Sequence, residues 1–132
     1  MIERADYPGH WQSITGSRDG DETLAQTAGR ELMEETGIDA APFGGVVDEH
    51  ATHVYEIFPR WRHRYAPGTT HNTEHVFTLE LASPVPVTLN PREHLACAWL
   101  PFDEAAARCF SWTNRDAILA LARRARTEGD KE

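Results

Sequence analysis

Three carboxylates stand within five residues of one another in this sequence, at Glu31, Glu34 and Glu35. At the period of an α-helix, Glu31 and Glu35 fall on the same face as the apolar residues of the segment, and Glu34 falls beside them. Carboxylates on an inward face repel one another and lose hydration, so they need a counter-charge. Mg²⁺ or Mn²⁺ would supply it through oxygen ligands. The alternative is a solvated acidic face on which Arg30 pairs with Glu34.

The residues around these carboxylates predict the helix that positions them. Thr23 is a suitable N-cap, and Gln26 three residues later can complete a capping box. Gly37 can adopt the left-handed conformation that ends a helix. The sequence therefore predicts a helix between Thr23 and Gly37 that carries all three glutamates.

The spacing over residues 16–38 is more specific than the helix alone. Gly16, Glu22 and the run Arg-Glu-Leu-Met-Glu-Glu-Thr-Gly-Ile at 30–38 match every fixed position of the Nudix box, G-x5-E-x7-R-E-U-x-E-E-x-G-U, where U is aliphatic. By this motif the chain resembles the Nudix hydrolases, which cleave a nucleoside diphosphate linked to another group and use Mg²⁺. The resemblance implies that Glu31, Glu34 and Glu35 face the metal, that Arg30 orients a glutamate, and that Glu22 braces the loop of Gly16.

Other segments resemble one subgroup of that family, the bacterial dihydroneopterin triphosphate pyrophosphatases. These segments are Trp-Gln-Ser-Ile-Thr-Gly-Ser at 11–17, Glu-Ile-Phe at 56–58, Arg-His-Arg-Tyr-Ala-Pro-Gly at 62–68, Asn-Thr-Glu at 72–74, Glu-His-Leu at 93–95 and Ser-Trp-Thr-Asn-Arg at 111–115. The resemblance implies hydrolysis of dihydroneopterin triphosphate to the monophosphate and pyrophosphate, a step of folate biosynthesis. It also implies a set of substrate-binding residues: Arg4, Thr15, Tyr55, Glu56, Ile57, Phe58 and His94.

The resemblance further implies a carboxylate from outside the box, which completes the metal site or acts as the base. Glu93 occupies the matching subgroup position, and its competitors are Glu74 and Glu56. The general base that accepts a proton from the attacking water would be Glu93 or Glu34. Two other functions stay open at this stage: a general (deoxy)nucleoside triphosphate pyrophosphatase, and a Nudix-fold binding protein without turnover.

Residues 58–68 are the one concentrated basic and aromatic stretch. Arginine side chains bind phosphate oxygens in a bidentate manner, and aromatic faces stack on flat heterocycles. The stretch therefore suggests a substrate contact, and the alternative is an exposed loop whose charges only interact with water.

Length and charge limit the remaining choices. The 132 residues suit one domain, and the net charge of −8 argues against nucleic-acid binding. Cys97 and Cys109 are best explained as reduced thiols of a cytoplasmic protein. No apolar run approaches the roughly 20 residues of a membrane span. The sequence leaves the oligomeric state open.

The expected fold is an α/β/α sandwich, with a mixed sheet between the box helix and the last helix. Strands are expected over residues 46–57, 75–81, 87–89 and 96–100, and a short helix with Asp103 as its N-cap. The last helix is expected to start at Ser111 or Thr113, and residues 127–132 to form a polar tail. Only 15 residues precede Gly16. The family normally opens with a long strand pair before the box, and the first strand of that pair is missing from this sequence, so we expect the native start to lie upstream or the chain to be truncated.

Overall fold

A computed structural model describes residues 1–130 of the chain. The described residues form five strands and three α-helices, together with 3-10 helices at Ala41–Phe43 and Pro59–Arg64. The elements are β1 Ile2–Arg4, β2 Trp11–Gln12, α1 Leu24–Thr36, β3 Val47–Glu56, β4 His71–Thr78, β5 His94–Cys97, α2 Phe102–Arg108 and α3 Trp112–Asp130.

The strands form two small sheets. In the first, β1 lies between β2 and β5, and in the second β3 pairs with β4; all these pairings are antiparallel. Parallel geometry is found in the bridge between Trp11 and Cys109, which joins the first sheet to the end of α2. This mixture of antiparallel sheets and helices confirms the expected fold class.

Helix α1 begins and ends where its sequence predicts. The Thr23 hydroxyl accepts from the Gln26 backbone N–H at 3.1 Å, and the Gln26 side chain accepts from the Thr23 N–H at 2.8 Å. Gly37 has φ of 75° and donates its N–H to the Met33 carbonyl at 2.8 Å. Both ends are therefore fixed by local hydrogen bonds, which sets the rotation of the helix about its axis.

Helix α3 packs across the second sheet. Arg124 forms an ion pair with Glu49 of β3, and the Thr113 hydroxyl donates to Glu74 of β4 at 3.2 Å. The Asn114 side chain accepts from the Ser13 backbone N–H at 3.0 Å, which ties the start of α3 to the segment after β2. These polar contacts connect the two sheets through one helix.

Several expected boundaries are wrong. Strand β4 begins at His71 and ends at Thr78, because its pairing with β3 extends to the Glu56–His71 pair. The expected strand over 87–89 does not form within the described chain; instead the Thr88 N–H donates to the Thr36 carbonyl at the end of α1, at 2.8 Å. Asp103 lies in the first turn of α2, and Pro101 occupies the N-cap position without a side-chain hydrogen bond.

The last expected element also differs in extent. Helix α3 continues through Asp130, so the backbone of the expected polar tail at 127–132 is helical as far as residue 130, and residues 131–132 lie outside the described residues. Within the part of the chain described, no helix is long and apolar enough to cross a membrane. Cys97 and Cys109 are both free thiols.

Candidate active site

The box glutamates differ sharply in exposure. Glu35 is 7% exposed, Glu31 is half-buried, and the Glu34 side chain is 56% exposed. Burial raises the pKa of Glu35 to about 8, and the charges of Glu31 and Glu93 act in the same direction. The Oε2 atom of Glu35 is buried without a hydrogen-bond partner, while the backbone N–H of Thr15 donates to the same carboxylate. A bound cation would therefore stabilise the ionised form of Glu35, which burial disfavours.

Gly16 makes room for Glu31. A Cβ atom at position 16 would lie 2.1 Å from the Glu31 Cδ atom, far inside van der Waals contact. Any larger residue at position 16 would therefore force the Glu31 side chain out of the position in which Arg30 holds it. This contact gives the first fixed position of the motif a structural reason.

Arg30 connects the loop to the helix. Its guanidinium donates to Glu22 at 2.7 Å, to Glu31 at 2.9 Å and to the Ser17 carbonyl at 2.9 Å. Hydrogen bonds from Arg30 are the main reason that the pKa of Glu22 falls to about 2. The same guanidinium reaches Glu34 at 3.2 Å. Arg30 is therefore placed to orient glutamates, as its position in the motif implied.

Glu93 comes from a different part of the chain. It precedes β5, and its backbone carbonyl accepts from the Ala5 N–H at 2.9 Å. Its charge raises the pKa values of both Glu31 and Glu35, and it lines the same cavity as they do. Glu56, one of its competitors, pairs with Arg62 at 2.8 Å and has a side chain that is 69% exposed.

The donor set fits a hard divalent cation. Glu31, Glu35 and Glu93 line one cavity, and the orphaned Oε2 atom of Glu35 offers a free ligand oxygen. Among the described side chains, those of residues 1–127, no three His, Cys, Asp or Glu groups already lie close enough together to hold a metal ion.

The expected substrate residues share one cavity of about 1450 Å³ with the carboxylates of α1 and with Glu93. It is lined by every substrate residue expected from the sequence: Arg4, Thr15, Tyr55, Glu56, Ile57, Phe58 and His94. Ile57 is 2% exposed and belongs to the core, whereas Phe58 is 43% exposed. The tertiary structure thus brings together residues from four separate segments.

Arg4 is held by residues that the sequence did not point out. Asp6 accepts from its Nε and Nη2 atoms at 2.7 Å, and Gln12 accepts from Nη1 at 3.1 Å. The guanidinium also lies 4.2 Å from the ring centroid of Trp61, a cation–π distance. No short motif signals either contact: Asp6 lies two residues after Arg4 in the turn that follows β1, and Gln12 reaches Arg4 through the pairing of β1 with β2.

The basic and aromatic stretch is largely satisfied within the protein. Asp6 accepts from the Trp61 indole at 3.0 Å and from Arg64 at 3.1 Å. Arg60 lies 3.8 Å from the Tyr7 ring centroid. These contacts use part of the hydrogen-bonding capacity of the stretch, and Phe58, Trp61, Arg64 and Tyr65 line the cavity.

His94 has a buried, unpartnered ring nitrogen beside the site. It is 5% exposed, and its Nδ1 atom has no hydrogen-bond partner. Burial lowers the pKa of His94, which favours the neutral ring. A neutral imidazole offers one donor and one acceptor to a polar ligand.

Comparison with known proteins decides the family. A profile of the NUDIX domain matches residues 1–121. The chain belongs to the Nudix family. The arrangement of α1 around its glutamates is therefore that of a Nudix box, and Nudix hydrolases generally require divalent metal ions.

Individual Nudix relatives are also similar over most of the chain. It is 46% identical to the dihydroneopterin triphosphate diphosphatase of Escherichia coli, over 89% of this chain and 78% of that protein. The enzyme of the same name from Haemophilus influenzae is 38% identical, over 89% and 74%. The solved structure of the E. coli dihydroneopterin triphosphate pyrophosphohydrolase superposes with a TM-score of 0.83 at 45% identity, covering 89% of this chain and 80% of that one.

Proposed function

We propose that this Nudix domain is a Mg²⁺-dependent pyrophosphohydrolase that converts dihydroneopterin triphosphate to dihydroneopterin monophosphate and pyrophosphate. The observation that carries the proposal is the convergence of Glu31, Glu35 and Glu93 on one cavity, with an unpartnered oxygen on Glu35. The names of the two relatives supply the substrate. The reaction would serve folate biosynthesis in the cytoplasm, where free thiols such as Cys97 stay reduced.

Each residue of the site has a separate proposed role. Glu31, Glu35 and Glu93 would hold the cation, with Glu34 at the exposed edge and Mn²⁺ as a possible substitute for Mg²⁺. A bound divalent ion offsets phosphate charge and lowers the pKa of a bound water. Arg30 would orient Glu31 and Glu34 through the hydrogen bonds already described.

The chemical step is a hydrolysis. A water oxygen attacks phosphorus and the bond to the departing pyrophosphate breaks, while Glu93 or Glu34 accepts the proton of the water. Arg4, Tyr55 and Phe58 line the same cavity and would contact the rest of the substrate. We include Thr15, Glu56, Ile57 and His94 in this proposed binding surface.

The partner proposed for this domain is thus a small triphosphate. The net charge of −8 disfavours nucleic acid as a partner, because a nucleic-acid footprint needs a basic surface. We treat residues 1–132 as one Nudix domain in this proposal.

The test is pyrophosphate release in the presence of Mg²⁺, with dihydroneopterin triphosphate compared against a panel of nucleoside triphosphates. We expect strong preference for the pterin. The Glu35→Gln variant should lose turnover by about 100-fold or more while staying folded, because it removes a ligand charge and keeps the shape of the side chain. Glu80→Gln, the same substitution at an exposed position outside the cavity, is the matched control.

Three results of this experiment would change the proposed function. Equal rates across the panel would replace the pterin enzyme with a general triphosphate pyrophosphatase. Near-normal turnover by Glu35→Gln would remove the proposed metal site. Absence of turnover with every substrate, in a folded wild-type protein with Mg²⁺, would favour a binding protein.

A further inference from the structure

Glu74 is a half-buried carboxylate that the proposed hydrolysis does not use. It lies on β4, and its side chain is enclosed by the first turn of α3. Its Oε2 atom accepts from the Thr113 hydroxyl at 3.2 Å, and its Oε1 atom accepts from the Asn114 side chain at 3.5 Å. Thr113 and Asn114 are 1% and 4% exposed, so both donors are fixed by the core.

No cationic side chain balances Glu74. Within residues 1–130, neither Arg nor Lys forms an ion pair with it. Burial raises the pKa of its carboxyl group, and the hydrogen bonds from Thr113 and Asn114 together with the nearby His53 only oppose that effect. A partly buried carboxylate without a cation is stabilised when a ligand supplies further donors.

The Glu74 carboxylate has acceptor sites that no protein donor fills. Two carboxylate oxygens provide about four acceptor sites, and Thr113 and Asn114 occupy one on each oxygen. One site on each oxygen therefore remains. Glu74 lines the same cavity as Glu31, Glu35 and Glu93, so a ligand whose phosphates meet those carboxylates can present its ring to Glu74.

The geometry of the free sites defines the ligand. Two parallel N–H donors, spaced as in a guanidinium fork, satisfy both oxygens of a carboxylate at once. A 2-amino-4-oxo-pyrimidine ring presents such a pair, namely its ring N–H and the adjacent amino group. Pterins and guanine share this edge; hypoxanthine lacks the amino group, and adenine lacks the ring N–H.

We propose that Glu74, held by Thr113 and Asn114, is the specificity-determining residue that binds the two N–H donors of a 2-amino-4-oxo-pyrimidine ring. The inference rests on the proposed function, since it assumes a substrate whose ring and phosphates occupy one cavity. Trp112 also lines this cavity and is 45% exposed, which leaves an aromatic surface for a flat ring beside Glu74.

Two other roles for Glu74 give different expectations. As a metal ligand it would have to share the carboxylate group formed by Glu31, Glu35 and Glu93, whereas its hydrogen bonds are to α3. As a mere anchor for α3 it would affect all substrates alike. Only a recognition role makes its effect depend on the amino group of the ring.

The experiment compares GTP with ITP, which differ by the 2-amino group alone. In wild-type protein with Mg²⁺, kcat/KM should favour GTP by about 10-fold, because ITP leaves one acceptor of Glu74 without a partner. In Glu74→Gln an amide N–H₂ replaces one acceptor, so the loss for GTP should greatly exceed the loss for ITP, mainly in KM. Glu80→Gln should keep the wild-type ratio, and Glu74→Asp should keep part of it.

Binding measured by calorimetry separates this inference from the proposed function. GDP should bind wild-type protein more tightly than IDP, and Glu74→Gln should remove that difference, whether or not turnover occurs. No GTP preference in either assay of the wild-type protein, or an equal loss for both purines in the variant, would overturn the role of Glu74. That result would leave the hydrolysis of dihydroneopterin triphosphate untouched, and equal binding of GDP and IDP by wild-type protein would overturn the role of Glu74 even if the variants failed to fold.

Discussion

Glu34 and Glu93 are the two carboxylates that the sequence left as alternatives for the general base. Glu34 has a side chain that is 56% exposed, and Arg30 approaches it at 3.2 Å. Glu93 faces Glu31 and Glu35 closely enough to raise the pKa values of both. The structure therefore distinguishes Glu93 from Glu34 by their surroundings, whereas the sequence left both as candidates for the general base.

We predict that Glu93→Gln lowers kcat more than Glu34→Gln does. Both substitutions remove one negative charge, but only Glu93 lies against the buried carboxylates, where a lost acceptor or ligand has the larger effect. Steady-state kinetics at saturating Mg²⁺ would measure the difference. An equal or larger loss in Glu34→Gln would identify Glu34 as the more important group.

At the scale of elements, α1 and the loop before it act as one unit. Glu22 accepts from the Asp19 N–H at 2.7 Å, from the Thr27 hydroxyl at 2.9 Å and from Arg30 at 2.7 Å. The hydrogen bond to Glu22 is the main reason that the pKa of Arg30 rises. The loop that carries Gly16 is thus fastened to the helix that carries the glutamates.

These hydrogen bonds to Glu22 predict that the stability of the protein depends on pH. The pKa of Glu22 falls from 4.5 to about 2 in the folded protein, so its ionised form is the stabilising one. The contribution is complete above about pH 4.5 and is lost as the pH falls toward 2. Glu22→Gln should therefore be less stable than wild type at neutral pH, and the difference should close in that acidic window.

Urea unfolding of both proteins, at neutral pH and at successively lower pH, would measure the gap. High salt should reduce it, because the pair is near the surface and is screened. Glu80→Gln controls for the loss of one charge. A gap that stays constant down to pH 2 would show that the charge of Glu22 does not stabilise this unit.

At the scale of the whole molecule, the carboxylates of α1, the start of β5 and the inner face of β4 all meet at the 1450 Å³ cavity. The protein also carries a net charge of −8. Buried like charges next to an open cavity oppose folding, and a cation that binds only the folded state opposes that effect.

Mg²⁺ should therefore raise the thermal midpoint of this protein. Mass action predicts about 2.7 kcal/mol when the free ion exceeds its Kd by about 100-fold. The rise should be much smaller in Glu35→Gln and unchanged in Glu80→Gln, although both variants replace one carboxyl group by an amide. Calorimetry or fluorescence melting against KCl of equal ionic strength would test this, and an equal rise in all three proteins would indicate only general screening.

The sequence by itself determined the helix, its caps and the family. These follow from local physics, because Thr23, Gln26 and Gly37 act on neighbouring backbone groups and the spacing of the glutamates fixes their face. The sequence did not determine the limits of the strands. Pairing with β3 sets the bounds of β4, and Thr88 donates its backbone N–H to the Thr36 carbonyl of α1 instead of joining a strand.

Tertiary structure decided which distant residues meet. It placed Glu93 on the same cavity as Glu31 and Glu35, and it placed Gln12 beside Arg4 through the pairing of β1 with β2. It also half-buried Glu74 against Thr113 and Asn114, about 40 residues away in the sequence. Such contacts depend on long-range pairing and on burial. These same factors raise the pKa of Glu35 and leave its Oε2 atom without a partner. The spacing of residues along the sequence does not contain that information.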